Sequence, residues 1–129
     1  MIITDLDGNQ YRWSQRRGKS KKASQLHLEA FQLVRKIYSC EQLIEEITIP
    51  LTKVRKVYGD IYITRLNKLI EVHGRQHYEH IPFYHKTIGE FKKAQHRDRQ
   101  KKEWCEINDI QYVELPFDKI DKWEELIRS

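Results

Sequence analysis

The chain has 129 residues, 39% of them apolar and 33% charged, with three Trp, seven Tyr and four Phe. That suffices for one domain with its own core and is too apolar and aromatic for a disordered tail, while no apolar run approaches the roughly 18 residues that span a bilayer. A net charge of +5, with a pI near 9.2, favours a polyanionic partner.

Met1 to Trp13 reads as a hairpin, with Asp7-Gly8-Asn9 as its turn between Ile2-Ile3 and Tyr11-Trp13. The start, MIITDLDGNQ, lacks the basic and apolar regions of a signal peptide. A basic, non-periodic stretch follows, holding Arg16, Arg17, Lys19, Lys21 and Lys22. It reads as an exposed arm. Ser24 is placed to cap a helix whose apolar residues fall at 26, 30, 33, 34 and 37. Strands are expected over 42–51, 53–64 and 67–73, then an irregular stretch through Pro82. A long polar helix runs from about Thr87 to Asn108, a strand over 110–115, and a last helix capped by Asp118 with Asp121 in its first turn. Cys40 and Cys105 lack CxxC spacing and read as reduced thiols of a cytoplasmic protein. The element order fits an α/β sandwich around a mixed sheet of about four strands, as one domain over 1–129. Within it, 1–23 form the hairpin and arm and 24–129 the core.

The segment GDIYITRLNKLIEVHGRQHY, residues 59–78, carries the densest chemistry. Asp60 opens one strand and Glu71 closes the next, so a tight turn brings the two carboxylates side by side. Alternation sets Tyr62 and Thr64 on the Asp60 face, and Leu69, Glu71 and His73 on one face of the next strand. Carboxylate and imidazole on a core face need partners. A divalent cation held by oxygens supplies both, and such an ion polarises a phosphodiester and activates water. The competing reading makes Asp60 and Glu71 strand-end groups paired with Arg or Lys. On the long helix Phe91, Ala94, Asp98, Lys101, Lys102 and Cys105 share a broad face. Asp98 there either meets the strand cluster or pairs along the helix with Lys101 or Lys102.

Taken together, D60-IYITRLNKLI-E71-V-H73-G-R-Q-H77-Y, the later H-R-D98-R-Q-K-K-E-W-C and the strand I-Q-Y-V-E-L-P-F resemble the PD-(D/E)XK nuclease superfamily. The similarity is strongest to the branch of very short patch repair endonucleases and phage homing endonucleases with an EDxHD motif, over about residues 26–117. The resemblance implies a restriction-endonuclease-like sandwich. It also implies a metal-dependent DNA endonuclease that uses Mg²⁺, with Mn²⁺ substituting, in a bacterial or phage-infected cytoplasm. Asp60 and Glu71 then hold the metal, with the Val72 carbonyl as a third ligand. His73 stands where the usual lysine would be and acts on the attacking water. His77 serves the scissile phosphate or leaving group, Gln76 beside it is a further catalytic candidate, Asp98 is the acid of the long helix, and Glu29 is the first glutamate of the motif. The structural zinc that the repair enzymes hold near this turn is not expected, because the turn carries Arg75 and the cysteines lie far off in sequence.

Arg12, Arg16, Arg17, Lys19, Lys21, Lys22, Arg75 and Arg97 are the expected phosphate contacts, with Trp13 or Tyr11 against a base or sugar. A second basic set, Lys92, Lys93, His96, Arg97 and Arg99, lies along the long helix. Double-strand cutting by one site per chain would call for a homodimer or sequential nicking. Rival readings are a junction resolvase or repair nickase of the same fold, and a non-catalytic nucleic-acid-binding module.

Overall fold

A computed structural model describes residues 1–18 and 23–129. The elements are β1 (Ile2–Thr4), β2 (Gln10–Arg12), α1 (Gln25–Ile37), β3 (Leu43–Pro50), β4 (Lys56–Ile63), β5 (Lys68–His73), α2 (Ile88–Ile107), β6 (Gln111–Pro116) and α3 (Trp123–Arg128). β1 and β2 pair as a hairpin; the main sheet runs β3-β4-β5-β6, antiparallel except for the parallel β5/β6 pair.

Ser24 caps its helix as expected, and Thr87, expected only as a helix start, also serves as a cap. The Ser24 hydroxyl accepts the His27 amide, and the Thr87 hydroxyl accepts that of Glu90. Asp118 does not cap the last helix. A short 3₁₀ turn at Ile120–Lys122 intervenes, and α3 begins after Lys122 without a side-chain cap.

The sheet separates two apolar layers. On one side Ala30 and Val34 of α1 and Trp123 and Ile127 of α3 pack against Ile61, Ile63, Ile70, Val113 and Leu115. On the other, α2 and the hairpin contribute Trp104, Cys105, Ile3 and Trp13 against Ile47, Ile49, Tyr62 and Leu69. β5, buried along its whole length, is the spine of both layers. The buried Lys68 ammonium is hydrogen-bonded in place of water, donating to the Ile127 carbonyl at 2.6 Å and the Ser129 carbonyl at 3.1 Å near the end of α3.

Strict alternation fails at one place. Leu43 and Ile63 face the α1/α3 layer and Ile44 and Tyr62 the α2 layer, yet Ile47, Ile49 and Val57 also face α2. Both strands change phase between the Glu45↔Ile61 and Ile47↔Gly59 rungs. Glu46 lies in that step at φ 51°, a conformation rare for a residue with a Cβ. Opposite it stands Asp60. The even alternation expected through residues 60, 62 and 64 therefore stops short of the residue that matters most.

Trp13 is not a free aromatic. It is 5% exposed, stands edge-on to Tyr62 and Trp104, and donates from Nε1 to the Thr48 carbonyl. The residues after it are also docked: Arg17 bridges to Ile47, the Thr48 amide donates to the Arg16 carbonyl, and the Gly18 amide donates to the Glu46 carbonyl. The described part of the expected arm is thus an extra edge strip along β3. Lys19, Lys21 and Lys22 lie outside the described residues.

Candidate active site

The β4/β5 ladder ends at Ile61↔Ile70. One register step further come Asp60 and Glu71, and side chains replace the missing backbone bonds. Asp60 Oδ2 accepts the Val72 amide at 2.7 Å, and Glu71 Oε2 accepts the Asp60 amide at 3.4 Å. Gly59 permits the close approach: a Cβ there would lie 2.5 Å from Leu69 Cδ1. The two expected carboxylates therefore meet at the floor of a cleft of about 820 Å³.

A third charged group completes this floor. Lys101 of α2 reaches in with its ammonium 2.6 Å from Glu71 Oε1 and also donates to the Tyr58 carbonyl at 2.8 Å. Burial works to lower Lys101, but the charges of Glu71 and Asp60 outweigh it and the ammonium is held above its ordinary range. Burial pushes the Glu71 carboxyl well above its usual value, against the pull of Lys101. Sequence alone leaves Lys101 as a helix-face residue; its four-carbon stem lets it cross from α2 to the sheet.

Glu29 is exposed on α1 and takes no part in the cleft. Two residues earlier, about 200° around the helix, His27 faces inward. Its Nε2 lies 3.2 Å from Glu45 Oε2 and its Nδ1 4.0 Å from Asp60 Oδ1. The sequence signal is the buried stripe His27, Ala30 and Val34 at spacings of three and four.

Across the cleft, His77 Nδ1 is 2.8 Å from Asp98 Oδ2, joining the turn after β5 to α2. Burial pushes the Asp98 carboxyl up, but its hydrogen bond to His77 and the imidazole charge prevail and hold it below the ordinary value. An ionised Asp98 only accepts, so His77 Nδ1 carries the proton of this bond and Nε2 points away from Asp98. His73 stacks on His77 at 4.1 Å between centroids, 4% exposed and outside the cleft lining. Its Nδ1 lies 3.4 Å from Glu114 and its Nε2 3.4 Å from the Tyr112 hydroxyl. Burial, helped by the His77 charge, lowers its pKa to about 4. His73 therefore backs His77 and does not reach cleft water, against the role expected for it.

That burial has a consequence for pH dependence. A histidine with its pKa lowered from 6.5 to about 4 stays neutral on folding, while the unfolded chain protonates below 6.5. Folding stability is then full above the unfolded value and is lost as pH falls toward the folded one. The expected loss between pH 7 and pH 5 is about 2 kcal/mol. Urea unfolding in chelator should show it, and His73→Gln should remove most of it. Equal pH slopes in the two proteins would contradict this account.

Gln76 lines the cleft, as do Arg17, Lys56 and Arg97 at its mouth. Arg75 does not: it pairs with Glu79 at 3.4 Å and lies over Phe117. Arg12 is exposed on β2, apart from the cleft lining. Among the described residues, two groups have ligand atoms within 4.8 Å of one another: His73, His77 and Asp98, and His27, Glu46 and Asp60. At the floor, Glu71 Oε1 is buried, with the Lys101 ammonium 2.6 Å away as its ion-pair partner. An oxygen donor pair of this kind, with the Val72 backbone at the same strand edge, suits a hard divalent cation such as Mg²⁺.

No family model matches the chain, and no solved structure matches it. Two viral proteins do in part. It is 36% identical over 58 residues to the uncharacterized protein 307L of Invertebrate iridescent virus 6, covering 45% of this chain and 29% of that protein. It is 37% identical over 59 residues to the uncharacterized protein 094L of Frog virus 3, covering 45% of this chain and 38% of that one. The match thus spans less than half the length of either relative. No helix among the described residues is long and apolar enough to cross a membrane.

Proposed function

We propose that the chain is a divalent-metal-dependent nuclease that hydrolyses DNA phosphodiesters, on a restriction-endonuclease-like sandwich of PD-(D/E)XK type. The observation that carries this reading is the trio at the cleft floor: Asp60 and Glu71 at a ladder end with the Lys101 ammonium 2.6 Å from Glu71. The superfamily pattern asks for two acids and a lysine. Here α2 offers the lysine, while β5 has His73 at the place where the resemblance would put it.

Asp60, Glu71 and the Val72 carbonyl would hold Mg²⁺ or Mn²⁺, which when bound polarises the phosphodiester and makes water nucleophilic at neutral pH. Lys101 places a fixed positive charge beside the phosphate, where negative charge develops. His77 Nε2, its tautomer set by Asp98, takes or returns the proton at the attacking or leaving oxygen. His73 packs under the His77 ring and fixes its plane. Arg17, Lys56 and Arg97 neutralise the backbone as it enters. A plain binding module gains nothing from Asp60, Glu71 and Asp98 on its floor, because they repel a polyanion.

The test is supercoiled plasmid incubated with Mg²⁺, and again with chelator. Nicked or linear product in the first and none in the second is the expected result. Nicked product alone favours a nickase, and direct linear product favours a homodimer. Plasmid that is bound but uncut in Mg²⁺ and in Mn²⁺ would leave a binding module.

A further inference from the structure

Beyond the cleft lies a smaller hollow of about 330 Å³, lined by Arg55, Lys92, Lys93, His96 and Arg97. Its walls come from two places: the β3/β4 connection supplies Arg55 and the first half of α2 the rest. Arg97 lines both this hollow and the cleft, so the two adjoin at that side chain.

A charged helix face is ordinarily balanced by neighbouring acids. These five side chains are all exposed, and that balance is missing. Among the described residues none of the five has a carboxylate partner within ion-pair distance. Arg55 is not loose either, because its Nη2 donates to Gln100 Oε1 at 3.1 Å and so ties the β3/β4 connection to α2. Gathering like charges in a concavity costs self-repulsion, which a bound polyanion relieves.

We propose that this hollow holds the backbone phosphates of the nucleic-acid strand next to the scissile phosphate. The assignment rests on the nuclease reading of the cleft and extends it: the substrate is a polymer gripped beyond the bond that is cut. Lys92, Lys93 and Arg55 contribute charge without base readout, so the grip is independent of sequence. Arg97 stands at the junction and contacts the phosphate shared by both sites. A single nucleotide or an isolated diester fills the cleft and leaves the hollow empty.

The experiment uses Arg55→Ser/Lys92→Ser/Lys93→Ser in the full chain. Duplex binding is measured across a salt series in the catalytically silenced Asp60→Asn background. Cleavage of a duplex oligomer and of bis(p-nitrophenyl) phosphate is measured with Asp60 intact. The triple variant should bind duplex at least about tenfold more weakly at low salt, with the salt slope reduced by about 2.7 for three lost contacts. Its rate on the small diester should stay within about twofold of the parent. An unchanged salt slope overturns the proposal. So does an equal loss on both substrates, because the hollow would then be acting on the cleft itself. Inorganic triphosphate and ATP form the third arm, and thermal stabilisation of the parent by either at micromolar levels, absent in the triple variant, would assign the hollow to free nucleotides instead. The slope is read without cleavage, so it reports on the hollow even where the plasmid assay finds no nuclease.

Discussion

Asp60→Asn is expected to cut DNA about a thousandfold more slowly than the parent, if the charge stabilisation it helps to hold is worth about 4 kcal/mol. The fold should survive the change. The Asp60 carboxylate accepts the Val72 amide at 2.7 Å, and an asparagine carbonyl oxygen can accept the same bond. What asparagine cannot supply is negative charge beside Glu71. Binding of DNA should be equal or tighter, because one acid facing the polyanion has gone. A gel-shift titration and a plasmid time course on the same preparation separate the two effects. A cleavage rate within tenfold of the parent would remove Asp60 from the metal-holding role. A parallel fall in binding and cleavage would point to a structural defect instead.

Trp13→Ala is expected to cost about 3–5 kcal/mol of stability, the range for losing a buried large aromatic. Trp13 meets Tyr62 at 5.0 Å and Trp104 at 5.1 Å, and its indole N–H is satisfied by the Thr48 carbonyl at 2.9 Å. Truncation therefore leaves a void between hairpin, sheet and α2, and an orphaned acceptor as well. Trp13→Phe keeps most of the packing and should lose mainly the hydrogen bond, about 1 kcal/mol. Urea unfolding measures both. DNA affinity per folded molecule should not move in either variant. An unchanged urea midpoint with weakened binding would return Trp13 to a nucleic-acid contact.

Much of the architecture was legible because local signals agreed with the tertiary result. Ser24 and Thr87 mark helix starts through bonds that their hydroxyls make three residues on, and the strand expected over 67–73 matches β5 to within a residue of its bounds. The meeting of Asp60 with Glu71 follows from a short turn between two strands, and His77 with Asp98 from the chain reversal that lays α2 over the sheet. What could not be read depends on three-dimensional reach. Lys101 is one of several lysines on a polar helix, and only its position above Glu71 distinguishes it. Glu29 is the acid the resemblance seeks on α1, yet helix rotation turns it outward and brings His27 in. Trp13 sits beside a run of basic residues, which suggests a surface role, whereas its partners Tyr62 and Trp104 are far away in sequence. The phase change at Glu46 and Asp60 is invisible to any alternation rule, since it arises where two strands share one distortion.

The tie between the hairpin and α2 also has a bearing on synthesis. The Thr4 amide donates to Asn108 Oδ1 at 2.7 Å, and Asn108 Nδ2 donates back to the Thr4 carbonyl at 2.9 Å, across 104 positions of chain. A ribosome adding about 5–20 residues per second needs roughly 5–20 s to travel that far. For that interval Ile3 and Trp13 lack the α2 part of the surface that will cover them. Closing so long a loop also costs entropy before any contact repays it, so the α2 layer, which includes Lys101, assembles late. The hairpin is made early and its contact with α2 comes late, and a nascent chain interrupted before Lys101 lacks both Lys101 and Trp104, one of the two aromatic partners of Trp13.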